Sequence, residues 1–99
     1  MKLYLVHHEH GYYDDDTLGN VVDDIRGIFS KIEAARDQIK KLSETEIREL
    51  TKDEFVEDLV IDCDLDKEFN VSIDYYYTSN YAEHWSYYSI KEFKLDKGV

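Results

Sequence analysis

The segment from residue 27 to residue 42 contains the clearest helix start in the chain, and it constrains how the other segments can pack. Ser30 is followed three residues later by Glu33, which is the spacing of a capping box, in which each side chain hydrogen-bonds the backbone N–H of the other residue. Apolar residues then recur at spacings of three, four and three, which places them on one helix face. These residues are Ile32, Ala35, Ile39 and Leu42. The sequence therefore predicts a main helix over about residues 31–42 with one face packed on a sheet.

Two strands are predicted before this helix. Residues 2–8 are rich in β-favouring types and carry apolar side chains on both faces, which is typical of a central strand. Residues 9–20 contain two glycines and three consecutive aspartates without periodicity, so they predict an exposed acidic loop. Residues 24–29 are expected to form a second strand, antiparallel to the first, that leads into the helix.

After the main helix the pattern predicts another helix and then a three-stranded meander. Thr51 and Glu54 repeat the capping-box spacing, which favours a second short helix over about residues 45–58. From Leu59 the apolar period becomes two, which indicates a half-buried strand with one acidic face. The predicted fold is a single α+β domain over residues 1–99, with an antiparallel sheet of about five strands.

The charge balance restricts the classes of partner. The chain has 12 basic and 23 acidic residues, for a net charge of −11, beyond the magnitude of roughly 2 to 8 that keeps a small domain soluble. Direct binding to nucleic acid or to an anionic membrane is disfavoured, because phosphates must be neutralised by Lys and Arg. A basic protein partner is the natural alternative.

Cysteine usage and the N-terminal segment favour a cytoplasmic protein. Cys63 is the only cysteine, so no internal disulfide can form. The apolar stretch over residues 3–6 is too short for a signal peptide or a membrane span.

The acidic strand is the first candidate binding feature. Side chains two apart on a strand lie about 6.6 Å from each other, so Asp62, Asp64 and Asp66 are expected to form a row of carboxylates. Such a row imitates a phosphate backbone and can occupy a nucleic-acid-binding groove. The alternative is a solvated strand face that discourages aggregation at the sheet edge. The other carboxylates predicted to bind the partner are Asp14, Asp15, Asp16 and Asp74.

The second candidate feature is the aromatic cluster over residues 75–88. Alternation can bury only about half of its rings, and Tyr and Trp supply large, rigid contact areas at interfaces. We therefore expect Tyr76, Tyr81 and Trp85 to anchor a partner, and a second copy of the chain stays an open alternative. The other interpretation is ordinary β-propensity with cross-strand ring pairing.

A histidine cluster near the N-terminus is the one set of residues that resembles metal ligands. His8 and His10 point to the same side of a strand, and with a carboxylate they could bind a transition metal. A third ligand would be Asp14, Asp16 or His84, but no spacing rule selects one. Structural histidines are the commoner outcome. No catalytic Ser-His-Asp or Cys-His order and no Gly-rich phosphate loop is recognisable, so we predict a non-enzyme without metal or cofactor.

Three short segments together resemble a known family. Residues 4–9 followed by an acidic run, the Gly-Ile-Phe-Ser sequence at 27–30, and residues 88–96 ending in Leu-Asp are similar to short bacterial and phage domains of unknown function. The resemblance implies the fold and a frequent location in mobile elements, and it transfers no catalytic residues. Residues 43–70 have no counterpart in it. In size and charge, the chain is also similar to anti-CRISPR and anti-restriction inhibitors.

These observations predict a small acidic, non-enzymatic binding protein, encoded by a phage or mobile element, that acts in the host cytoplasm. It is expected to inhibit a basic nucleic-acid-binding protein by DNA mimicry. Two alternatives stay open: a structural or interaction domain whose acidity serves only solubility, and a histidine-based metal-binding protein.

Overall fold

The computed structural model of the protein describes residues 1–14, 17–18, 21–64, 69–79 and 81–94, without the side chains of residues 14, 17 and 18. Within these ranges the elements are β1 (Lys2–Asp14), β2 (Thr17–Leu18), β3 (Val22–Phe29), α1 (Ile32–Lys52), β4 (Val56–Asp64), β5 (Asn70–Tyr77) and β6 (Ala82–Lys94). Every strand pairing is antiparallel. The predicted α+β class is confirmed, with five long strands and the two-residue β2.

The sheet is ordered β2-β1-β6-β5-β4, and β3 also pairs with β1. Its centre is the pairing of β1 with β6, which runs from Lys2 opposite Lys94 to Tyr13 opposite Glu83. The predicted strand before the helix is confirmed as β3, antiparallel to β1. Strands β4, β5 and β6 form the predicted meander, with β4 at the sheet edge.

The prediction of two helices is wrong, because one helix of 21 residues covers most of both segments. The sequence between Leu42 and Thr51 contains no Gly or Pro, so nothing interrupts the hydrogen-bond ladder. Ile47 and Leu50 extend the packed stripe. Thr51 lies in the last turn of α1, where its hydroxyl donates a hydrogen bond to the Ile47 carbonyl, and it does not cap a new helix. Residues 56–58, assigned to the second helix, begin β4.

The predicted capping box is also wrong. Lys31 is the N-cap residue of α1, in an extended conformation and without a side-chain cap hydrogen bond. Packing of the apolar stripe fixes the helix instead, since Ala35 and Ile39 are fully buried. Within the described residues, no helix is both long and apolar enough to cross a membrane.

The predicted acidic loop over residues 9–20 is largely replaced by regular structure. Residues up to Asp14 continue β1, and Thr17–Leu18 forms β2. The strand continues because β6 extends beside it and offers ring partners, with Tyr12 stacked on His84 at 5.5 Å between ring centroids. Residues 15, 16, 19 and 20 of the predicted loop lie outside the described residues.

The core lies between α1 and one face of the sheet. Its buried members are Val6, Ala35, Ile39, Phe69, Val71, Ile73 and Tyr88. Helix α1, which packs chiefly on β1, β3, β5 and β6, is the one described element outside the sheet. The face opposite the core is therefore uncovered in the described part of the chain, and we call it the open face.

Candidate functional site

The strand registers assemble three rows of side chains on the open face. Residues directly opposite each other on paired strands share a face, and alternation places the neighbours of the buried Ser86 and Tyr88 on the open side. Across β1, β6, β5 and β4 the rows are Tyr13-Glu83-Tyr76-Glu57, Gly11-Trp85-Asp74-Val60 and Glu9-Tyr87-Ser72-Asp62. We call these twelve positions the acidic–aromatic face.

Carboxylates and rings alternate on this face. It holds five carboxylates and four aromatic rings, and none of its positions is a lysine or arginine. Glu83 lies between Tyr13 and Tyr76, and Asp74 lies beside Trp85. Directly opposed residues are separated by about 5 Å between Cβ atoms, so one planar cation can contact a ring and a carboxylate together.

A cavity of about 260 Å³ opens at the first two rows. Its lining includes Tyr13, Asp58, Asp74, Tyr76, Glu83 and Trp85. Asp58 has a φ of 53° and lies where the β4–β5 register shifts between Glu57 and Val60. Regular pairing would place the Asp58 carboxylate elsewhere, and this bulge brings it to the cavity. The Trp85 Nε1 atom is buried without a hydrogen-bond partner.

Several predicted binding residues are brought together by this arrangement. Asp62, Asp74, Tyr76 and Trp85 belong to the acidic–aromatic face. Asp64 lies beside it, where a smaller cavity of about 190 Å³ is lined by Asp62, Asp64 and Tyr87.

The other predicted residues are not placed on this face. Tyr81 is 77 % exposed, but it lies in the turn before β6 with a φ of 55°. Asp14 ends β1 opposite Thr17, with its side chain outside the description. Asp15, Asp16 and Asp66 lie outside the described residues.

The acidic strand β4 forms, but the prediction that it is half-buried is wrong. Val60 is 58 % exposed and Ile61 is 41 % exposed, and Cys63 is exposed as well. Alternation indicated a covered face for Ile61 and Cys63, whereas α1 packs chiefly on the other long strands. The edge strand therefore presents apolar and acidic side chains together.

Among the carboxylates and rings of the face, sequence reasoning missed Glu9, Tyr13 and Glu83. Alternation along β6 groups Glu83 with Trp85 and Tyr87, and this signal was available in the sequence. The contributions of β1 and β4 depend on strand register, which is set by pairings between distant segments.

The opposite face contains a buried polar network between α1 and the sheet. His8 Nε2 lies 2.6 Å from Ser86 Oγ, and Ser86 donates to Glu46 Oε1 at 3.0 Å. Tyr88 donates to the same carboxylate oxygen at 2.6 Å, and its ring stacks on His8 at 4.2 Å. Burial lowers the pKa of His8, opposed by Glu46. Burial, with the hydrogen bond to Glu46, raises the pKa of Tyr88. At neutral pH the network thus holds a neutral imidazole and a neutral phenol around one carboxylate.

The metal-binding alternative gains no support from the described residues. No group of three or more His, Cys, Asp or Glu side chains among them is arranged to hold a metal ion. His10 Nε2 lies 3.8 Å from an oxygen of Asp24, and His8 is engaged with Ser86. Of the proposed third ligands, Asp16 and the Asp14 side chain lie outside the description.

Comparisons of the chain with protein-family models, with curated proteins and with solved structures find no match. The candidate site therefore rests on the geometry of the acidic–aromatic face.

Proposed function

We propose that the protein is a non-enzymatic binding protein whose acidic–aromatic face binds a basic surface of a partner protein. The observation that carries this proposal is the composition of the three rows, with five carboxylates, four rings and no lysine or arginine among their twelve positions on the open face. Arginine and lysine combine a charge for carboxylates with a surface that packs on aromatic rings. Trp and Tyr at such positions supply the packing area typical of binding hot spots.

The more specific form of the proposal is that the partner surface binds nucleic acid and is blocked by this protein. The face repeats carboxylates across four strands. A cationic groove on the partner would meet these negative charges much as it meets the phosphates of a nucleic acid. The chain's net charge of −11 adds long-range attraction. Phage or mobile-element origin, an anti-CRISPR or anti-restriction role and a cytoplasmic location belong to this proposal, and they rest on size, charge and resemblance.

The composition of the same face disfavours two other interpretations, self-association and acidity for solubility alone. A second copy of this face would oppose carboxylates to carboxylates with no basic residue between them, which is repulsive. If the acidic residues served only solubility, they would not need to lie next to aromatic side chains. In the structure Glu83 is paired with Tyr76, and Asp74 is paired with Trp85.

The test is affinity capture from a host lysate with two variants of equal charge change. The face variant combines Glu57→Gln, Asp74→Asn and Glu83→Gln. The control combines Glu33→Gln, Asp37→Asn and Glu44→Gln, which are exposed positions on α1. We expect wild type and control to retain a nucleic-acid-binding protein at about 50 mM salt and to lose most of it at about 200 mM. The face variant should not retain it.

Added duplex DNA should displace the captured protein from wild type. Equal capture by the face variant and the control would refute binding through this face. A captured protein that DNA does not displace would refute the nucleic-acid form of the proposal and leave a basic partner of another kind.

A further inference from the structure

A second cavity, of about 270 Å³, lies on the face of the sheet that α1 covers. Its lining includes His8, His10, Glu46, Glu49, Tyr75 and His84. The register groups Tyr75 and His84 with Tyr12, which places this row on the covered side. We call this space the His–Glu cavity.

The charge of the His–Glu cavity comes from two glutamates. Glu46 and Glu49 are three residues apart on α1, so they lie on the same side of the helix. Burial lowers the pKa of both His8 and His84, which keeps these imidazoles neutral at pH 7. Among the described residues, no lysine or arginine lines the cavity. The site is therefore negative, and the rings of His8, His84 and Tyr75 are uncharged at pH 7.

The rings that form the walls are held in place by stacking. His84 stacks on Tyr75 and on Tyr12, with centroid distances of 5.2 and 5.5 Å. His8 lies against His10 at 4.8 Å. Because these contacts fix the orientation of the rings, the walls need little reorganisation to bind a guest.

The hydrogen-bond directions leave an acceptor without a donor. Ser86 gives its proton to Glu46, so His8 must donate from Nε2 to the Ser86 oxygen. The other nitrogen, Nδ1, then carries a lone pair, and it is buried without a partner in a residue only 7 % exposed. Both hydrogen bonds that Glu46 receives fall on Oε1, so Oε2 accepts from no described group. Glu46 Oε2 therefore has the capacity to accept a hydrogen bond from an N–H donor.

We propose that the His–Glu cavity binds a small organic cation with N–H donors, either a primary ammonium or a guanidinium. Glu46 and Glu49 supply the opposing charge, and the rings of Tyr75 and His84 provide walls on which an alkyl or planar group packs. Ligand pockets usually exceed about 300 Å³, so the guest is a small molecule. This site lies across the sheet from the acidic–aromatic face, and the inference does not depend on the proposed function.

The experiment titrates the wild-type protein with n-butylguanidinium and n-butylammonium in the presence of EDTA, with n-butanol as the neutral control. NMR resonances of the His8 and His10 rings report binding at the site, because both rings line this cavity and neither lines the cavity of the acidic–aromatic face. Glu49→Gln is the test variant because Glu49 is exposed and outside the buried network. Glu44→Gln, exposed on the same helix and outside the cavity, is the matched control.

We expect saturable shifts of both rings with at least one of the two cations and none with n-butanol. Glu49→Gln should weaken binding at least about tenfold, and Glu44→Gln should leave it unchanged. Unchanged amide spectra of β1 and β6 will show that the variants are folded. The proposal is overturned if neither cation produces a saturable shift, if n-butanol binds equally, or if the two variants bind alike. If an arginine-containing peptide binds this cavity and neither small cation does, the cavity accepts a side chain of a partner protein. That result would overturn the proposal of a small-molecule guest.

Discussion

Glu46 joins the helix to the centre of the sheet, since one of its oxygens accepts hydrogen bonds from Tyr88 and Ser86. A hydrogen bond to a charged group in a partly buried site contributes more than a neutral, exposed one. Tyr88→Phe removes one of these donors without changing the ring that stacks on His8. We expect the free energy of unfolding to fall by about 1.5 kcal/mol in chemical denaturation. Tyr81→Phe, at an exposed position, should have almost no effect, and equal losses in the two variants would contradict this role of Tyr88.

His8 makes stability depend on pH in a direction fixed by its burial. Its pKa is lowered from 6.5 in the folded protein, so the unfolded chain takes up a proton first as the pH falls. The contribution of His8 is therefore complete above about pH 6.5 and is lost as the pH falls through the lowered pKa. Burial of His84 acts in the same direction.

We expect His8→Gln to reduce this dependence. The measurement is the free energy of unfolding of both proteins at about pH 7.5 and about pH 5.5. Wild type should lose more stability than His8→Gln between the two values. A larger loss in the variant would show that the proton binds the folded state more tightly.

At the scale of single elements, α1 is held by its packed stripe and not by its N-terminal cap. Ile39 is fully buried among core residues, and the N-cap residue is Lys31, which makes no side-chain cap hydrogen bond. Ile39→Ala should lower the free energy of unfolding by about 2 to 5 kcal/mol. Ser30→Ala should change it by less than about 0.5 kcal/mol. If Ser30→Ala lowered the free energy of unfolding by about 1 kcal/mol or more, the capping box that the sequence indicates would exist after all.

Strand β3 depends on a glycine where its pairing with β1 becomes irregular. Gly27 has a φ of 157°, and a Cβ atom there would lie 2.5 Å from Cε2 of Phe29. We expect Gly27→Ala to cost about 1 to 3 kcal/mol of stability, because the half-buried Phe29 ring must shift. Phe29→Leu should then cost less in the Gly27→Ala background than in wild type. Strictly additive losses would show that the strain lies in the backbone alone.

The elements also show where sequence patterns are informative. The predicted apolar stripe correctly identified the packed face of α1 at Ala35, Ile39 and Leu42, because helix periodicity is local. Its first member, Ile32, is half-buried outside the core cluster. The end of α1 was missed because residues 43–52 retain helical composition and the same stripe. The exposure of Ile61 depends on how far a separate element reaches across the sheet, and no local pattern contains that information.

At the scale of the whole molecule, the sheet has two chemically different sides. One packs against α1 through an apolar core and a polar network around Glu46, and the other collects carboxylates and rings. The sequence indicated acidity and aromatic residues as two separate features, one in β4 and one in the β5–β6 hairpin. The sequence could not predict that the two features lie on the same sheet face, because that depends on the registers of four strands.

The most direct test of the central proposal is to locate a defined basic probe on the protein. An arginine-rich peptide is titrated into isotope-labelled wild type, and the ring resonance of Tyr76, which lines the cavity of the acidic–aromatic face and not the His–Glu cavity, serves as the reporter. We expect saturable shifts of this resonance and of open-face residues in β5 and β6. The affinity should fall steeply between about 50 and about 200 mM salt. The face variant should bind at least about tenfold more weakly than the α1 control variant. Shifts confined to the exposed side of α1, or equal affinity of the two variants, would contradict a binding role for this face.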